Sequence, residues 1–148
     1  MALNVRRVVT ANDDEGKAVV LIDDLASNRR NPRPGVETIL AWTTDSTPAD
    51  LDGGDDLGAR TVDRPPPYRG TIFRIIEFSP GNERDMHKTP TLDYAVVIAG
   101  EIDMELDDGV EVHLQAGDVL VQRATVHNWV NRGAAPCVIA FVLIDAQP

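Results

Sequence analysis

A chain of 148 residues is the length of one ordinary domain and can bury a core of its own. With 43% hydrophobic residues it is globular rather than disordered. Its formal net charge of −10 repels phosphate backbones and anionic head groups, which excludes nucleic acid and membrane surfaces as default partners.

The opening segment, MALNVRRVVT, lacks the apolar stretch and small-residue cleavage site of a signal peptide. Strands are predicted over 6–10 and 18–23, followed by SNRRN at 27–31, which holds a short turn at most, and by a strand over 37–44. Residues 45–70 are rich in Pro, Gly and Asp. A connection this long inside a compact domain is either disordered or functional, as a lid would be, and the composition favours disorder. RPPPYR at 64–69 reads as a stiff crossing.

Further strands are predicted over 71–78, 93–100, 101–106, 110–115, 118–123, 127–131 and 137–145. Around the turn LDDG at 106–109, Ile102, Met104 and Leu106 alternate with Asp103 and Glu105, and Val110, Val112 and Leu114 alternate with Glu111 and His113. That is a hairpin with one wet face, on which His113 is structural. Gly81, Gly100, Gly109 and Gly117 are punctuation between strands. The longest apolar runs, YAVVIAG and CVIAFVLI, are too short to span a bilayer. Cys137, the one cysteine, permits no internal disulfide and reads as a small buried hydrophobe. The whole is all-β, a sandwich or barrel, and is expected in the cytoplasm.

Two segments carry the chemistry: GNERDMHKTPTLDYAVVIAG at 81–100 and GDVLVQRATVHNWVN at 117–131. Strand alternation sends His87 and Thr89 to one face, and His127, Trp129 and Asn131 to one face of a later strand. Asp93 opens a strand after the bend TPTL. Trp129 reads as pocket wall or core, and Asn131 as a residue that ties down a turn. Thr89, Tyr94, Arg74, Arg123 and Gln122 are the remaining polar or amphipathic candidates near a pocket. No phosphate-cradling loop, cysteine pair or nucleophile-elbow serine is present.

Residues 70–148 resemble a cupin of the small single-domain, RmlC-like kind. The cupin pattern runs Gly, five residues, His-x-His, three or four residues, Glu, six residues, Gly; here Gly81, His87-x-Thr89, Asp93 and Gly100 stand at those places. The second cupin motif is matched by Gly117, His127 and Asn131, with the turn QRAT one residue shorter than usual. The resemblance implies a jelly roll, or double-stranded β-helix, built on 70–148. Residues 1–69 would add N-terminal strands and a loop to the same domain, either by extending its sheet or by pairing two copies into a homodimer.

It also implies that His87, Asp93 and His127 stand where three of four metal ligands would be, with Thr89 in place of a second histidine. A threonine hydroxyl is a poor donor to a first-row metal. Aspartate is one methylene shorter than glutamate, about 1.5 Å of reach. Two readings stay open. In one, the three residues form a two-His, one-carboxylate site for Fe, Mn, Ni or Zn, as in dioxygenases. In the other no metal binds, and the imidazoles act as general acid and base with Asp93 orienting one of them, which points to dehydration, decarboxylation or isomerisation of an oxygenated small molecule. A pocket that only holds its ligand is the third expectation, because one fold hosts many activities.

Overall fold

The computed structural model describes residues 3–63 and 65–147; Met1, Ala2, Arg64 and Pro148, which belong to stretches read above, lie outside the described residues. All ten predicted strands form. In chain order they are β1 (Arg6–Asn12), β2 (Ala18–Leu25), β4 (Val36–Thr44), β5 (Thr71–Phe78), β6 (Thr91–Ala99), β7 (Glu101–Glu105), β8 (Glu111–Gln115), β9 (Val119–Arg123), β10 (Asn128–Val130) and β11 (Cys137–Asp145). An eleventh, β3 (Arg29–Arg33), replaces the expected turn at 27–31. It lies at a sheet edge and pairs Arg29 with Ile39, Arg30 with Thr38 and Arg33 with Val36, skipping Asn31 and Pro32. A proline cannot donate to a ladder, and an edge with a local irregularity is where a sheet accepts one.

The main sheet has the order β3-β4-β5-β11-β6-β9, and a smaller sheet, β10-β7-β8, faces it. Alternation along the strands supplies the core between them. Ile72 and Phe78 on β5, Ile139, Phe141 and Leu143 on β11, and Ala95 and Val97 on β6 point inward, where they meet Ile102, Met104, Leu114 and Trp129. Burying an aliphatic or aromatic side chain of this size contributes roughly 1.5–3 kcal/mol, so two apolar sheet faces suffice to close the sandwich. Thus β3 and β4 extend the chain's own sheet.

The hairpin β1–β2 forms a separate two-stranded sheet. The segments flanking it cover part of the main sheet's outer face, where Leu3 and Ala26 bury against Ile39 and Ile75. The rest of that outer face is open. Phe73, Tyr94, Val96, Ile98, Val119 and Val121 are exposed on it.

Disorder of residues 45–70 is corrected for the residues described. The buried Arg7 donates to both carboxylate oxygens of Asp24 (3.1 and 2.8 Å) and of Asp56 (2.8 and 2.9 Å), and it also reaches the carbonyl of Ala41 at 3.3 Å. Its partners, Asp24 first, hold the guanidinium above its ordinary pKa; Arg7 in turn holds the Asp56 carboxyl below the usual carboxylate range. Asp56 accepts from the amide of Gly58 at 2.9 Å at the start of a 3-10 turn, Leu57–Ala59. Asn28 donates to the carbonyls of Gly58 (2.9 Å) and Arg60 (2.7 Å). Gly58 is required by space, since a Cβ there would lie 2.4 Å from the Ala41 carbonyl oxygen. One buried cation and one asparagine pin what composition alone reads as loose.

The β7–β8 hairpin forms as expected, turning at Asp107–Gly109 with Asp108 in the left-handed region at φ 56°. On its wet face Arg132 bonds Asp103, Glu105 and Glu111, while His113 bonds Asp103 at 2.6 Å and Glu101 at 3.2 Å. Asp103 first, then Glu101, pulls the His113 pKa above its ordinary value. Burial pushes the Cys137 thiol up to about 11, in keeping with an inert core residue. Among the described residues no helix is long and apolar enough to cross a membrane.

Candidate functional site

His87 and His127 meet as an isolated antiparallel bridge. Each backbone amide donates to the other's carbonyl, at 3.0 Å from His87 and 2.9 Å from His127. This pairing brings the two imidazole rings to a centroid separation of 4.3 Å, tilted by 60°. Each ring is oriented the same way. His87 donates from Nδ1 to the carbonyl of Asp85 at 2.8 Å, and His127 donates from Nδ1 to the carbonyl of Thr125 at 2.8 Å. A carbonyl oxygen only accepts, so Nδ1 carries the hydrogen and the acceptor lone pair of each neutral ring sits at Nε2.

A carboxylate oxygen of Asp85 also lies 3.3 Å from Nδ1 of His87. Asp85 is itself positioned: its amide donates to Asn128 Oδ1 at 2.9 Å, and Arg33 pairs with its carboxylate at 3.1 Å. Asn128, fully buried, donates from its other end to Glu105 at 2.9 Å.

Both histidines line a cavity of about 210 Å³ between the sheets, together with Thr89, Asp93, Arg74 and Trp129. Trp129 is buried with its ring edge-on to Phe141 at 5.7 Å, and it forms the apolar wall. Asp93 is buried on β6, in register with Gln122 and Leu143. Thr89, where the motif would carry a second histidine, shares a hydrogen bond of 2.9 Å with Thr91.

Two expected pocket residues lie elsewhere. Tyr94 is exposed on the outer face of β6, because alternation that turns Asp93 inward turns its neighbour out. Gln122 is buried but does not line the cavity; it donates to Thr125 Oγ1 at 3.1 Å and to Met104 Sδ at 3.6 Å. It therefore braces the turn whose carbonyl holds His127. Arg123 is exposed on the other face of β9.

The three-ligand metal reading of His87, Asp93 and His127 has no assembled cluster behind it among the described residues. Among the described residues no group of three His, Cys, Asp or Glu side chains stands close enough to hold an ion. The two Nε2 atoms suit one side of a first-row metal, but Asp93 does not join them as a third donor, and Thr89 Oγ1 is hydrogen-bonded to Thr91. The described residues do not by themselves close a site.

Sequence reasoning missed Asp85, Arg33, Arg30, Val62 and Asp63, the last four of which line the cavity. Only Asp85 carried a local signal, as the residue two before His87 on the same side of an extended segment. The others come from β3 and from the 45–70 connection, whose place over the cavity depends on the distant Arg7.

Comparison with known proteins agrees with this fold. A cupin-domain-containing oxidoreductase of Aspergillus ruber is 36% identical over 97% of this chain and 73% of its own length. Phomopsin biosynthesis cluster protein C' of Diaporthe leptostromiformis is 40% identical over 74% of this chain and 61% of its own. An RmlC-like cupin of Shewanella frigidimarina superposes with a TM-score of 0.54 at 17% identity, covering 80% of this chain and 84% of that one, and so supports the fold. The family profile described as the cupin domain matches residues 74–144. On the fold, the two motifs and these relatives together, the chain belongs to the cupin family.

Proposed function

We propose that the protein is a small-molecule enzyme that moves protons on an oxygenated organic substrate, with His87 and His127 as its acid–base pair. The observation that carries this reading is the pair itself: two anchored imidazoles 4.3 Å apart at the wall of one cavity. His127, whose Nδ1 is engaged by the Thr125 carbonyl so that Nε2 is its basic nitrogen, takes a proton from the carbon next to a carbonyl. His87, with the Asp85 carboxylate 3.3 Å from its Nδ1, gives a proton to the carbonyl oxygen. The product is an enol. Returning the proton from His127 to a different carbon of the conjugated system, as the enol oxygen gives its proton back to His87, completes an isomerisation. Alternatively, the enol oxygen gives its proton back to His87 while a hydroxyl on the next carbon leaves as water, taking the proton from the His127 imidazolium.

The test is a panel of hydroxy- and oxo-substituted small molecules incubated with the protein in D₂O, followed by proton NMR and mass spectrometry. Oxygen-independent deuterium exchange or loss of water supports the reading. A second reading, oxidation in the same cavity, is favoured by the oxidoreductase name of the Aspergillus relative. Oxygen-dependent gain of mass with no exchange would establish it and overturn proton transfer.

We propose further that two copies pair through the open outer face of the main sheet, and that the protein works in the cytoplasm, in keeping with its single buried thiol. Tyr94 faces Val121 and Val96 faces Val119 across β6–β9, giving a flat apolar strip. Exposed strips of this kind mark association surfaces. Light scattering on the eluted protein is expected to give twice the 16.1 kDa chain mass, and Val96→Lys with Val121→Lys to give the chain mass. A monomer before substitution removes the pairing.

A further inference from the structure

The cavity has an annex that the acid–base pair does not use. Arg74, Arg30, Thr38 and Val62 line the cavity and also a narrow recess of about 30 Å³, whose remaining walls are Asn28, Leu40 and Arg60. Three arginines are therefore among the described residues that line one space, and no carboxylate is among them. This occurs in a chain whose net charge is −10. A recess of that size exceeds the roughly 10–15 Å³ that a single water needs and matches a small polar group rather than a ring.

Two of these cations are held loosely. Arg30, half exposed, faces the almost fully exposed Asp63 at 3.9 Å, the outer limit of an ion pair. Arg60 reaches Asp45 at 3.2 Å, with both side chains well exposed. Exposed pairs of this kind are worth about 0–1 kcal/mol, so an incoming anion can take their place. A guanidinium presents a planar fork of N–H donors that matches two carboxylate oxygens, which a neutral carbonyl or hydroxyl cannot exploit equally.

We propose that the substrate is an organic acid, its carboxylate seated in this recess by Arg30 and Arg60, with Arg74 between the recess and the main cavity, and its reacting carbon lying toward His127. This rests on the reading of the cavity as the substrate site, and it adds the charge and orientation of what enters. Holding one end by a charged fork fixes which carbon reaches the imidazoles, and positioning of this kind supplies much of a rate enhancement.

The experiment uses the full chain and two probes of one shape, benzoate and benzamide, titrated by calorimetry and by the tryptophan fluorescence that Trp129 on the cavity wall contributes. Benzoate is expected to bind, benzamide to bind about tenfold more weakly or not at all, and Arg30→Gln and Arg60→Gln each to weaken benzoate about tenfold while leaving benzamide unchanged. Thermal midpoints of both variants should match the parent, since neither side chain is buried. Equal binding of the two probes, unaltered benzoate affinity in both variants, or no benzoate binding at millimolar concentration overturns the proposal. The exchange assay above separates the two ideas. Acid binding that depends on Arg30 without deuterium exchange sinks proton transfer and keeps the recess. Exchange on oxo acids that is unaltered by both Arg30→Gln and Arg60→Gln sinks the recess and keeps proton transfer.

Discussion

His127→Ala is expected to lower the rate of deuterium exchange or dehydration by about a thousandfold, or about 4 kcal/mol of transition-state stabilisation, without unfolding the protein. The backbone bridge between residues 87 and 127 uses amides and carbonyls alone, so it survives loss of either ring. His87→Ala should cost a similar factor, and the double variant little more than either single one. A base without its acid partner is already disabled, and groups that act as a unit are not additive. Asp85→Asn is a finer probe. It keeps the carbonyl that receives Nδ1 of His87 and removes only the carboxylate 3.3 Å away, so the ring stays oriented and the loss should be nearer tenfold. Free imidazole added to His127→Ala should restore part of the rate, because the vacated space opens on the cavity. A structural role for His127 would show no rescue. Full activity in His127→Ala would remove the residue from the mechanism.

The parts of the molecule legible in the sequence are those set by period and punctuation. β5 and β11 could be bounded to the residue because each is a run dominated by Ile, Val and Phe between turn signals. β3 could not, since Arg-Arg-Asn-Pro-Arg has neither β-branched residues nor alternation, and only a neighbouring edge makes it a strand. The same logic separates the site residues. His87 and His127 were visible through motif spacing. Tyr94 was misplaced although parity with Asp93 already assigned it to the outside. Gln122 was correctly placed inside but belongs to the support of a turn. Arg30, Asp63 and the recess were out of reach, because Arg30 arrives through the pairing of β3 with β4 and Asp63 through a connection that Arg7 pins at Asp56 across 49 positions of chain, a contact between charges with no local periodicity. Long-range ion pairs between common surface residue types leave no trace in a single sequence.

Asn131→Ala is expected to destabilise the fold by about 2–3 kcal/mol, seen as a fall in the thermal midpoint of roughly 5–10 °C with the exchange chemistry intact below it. Asn131 is 1% exposed and makes three side-chain bonds. It donates to the carbonyls of Phe78 (2.9 Å) and Ala135 (2.8 Å) and accepts from the amide of Gly133 (2.9 Å). Its backbone joins the opposite wall, donating to Asn82 at 2.8 Å and accepting from Gly81 at 2.9 Å. The side chain thus ties the end of β10 to the end of β5 and closes the turn into β11. Water can reach Gly133 and Ala135, which are exposed, so those two losses are partly made good. The Phe78 carbonyl lies beside a fully buried side chain and is not so easily rescued, and one orphaned group there accounts for most of the expected cost. Asn131→Asp separates the contributions. It keeps an acceptor for Gly133 but loses both donors and sets a carboxylate against two carbonyl oxygens, so it should be at least as damaging as alanine. If alanine proved harmless while aspartate unfolded the protein, repulsion rather than lost bonding would be the cause, and the turn would have to be held by the backbone bonds to Asn82 and Gly81.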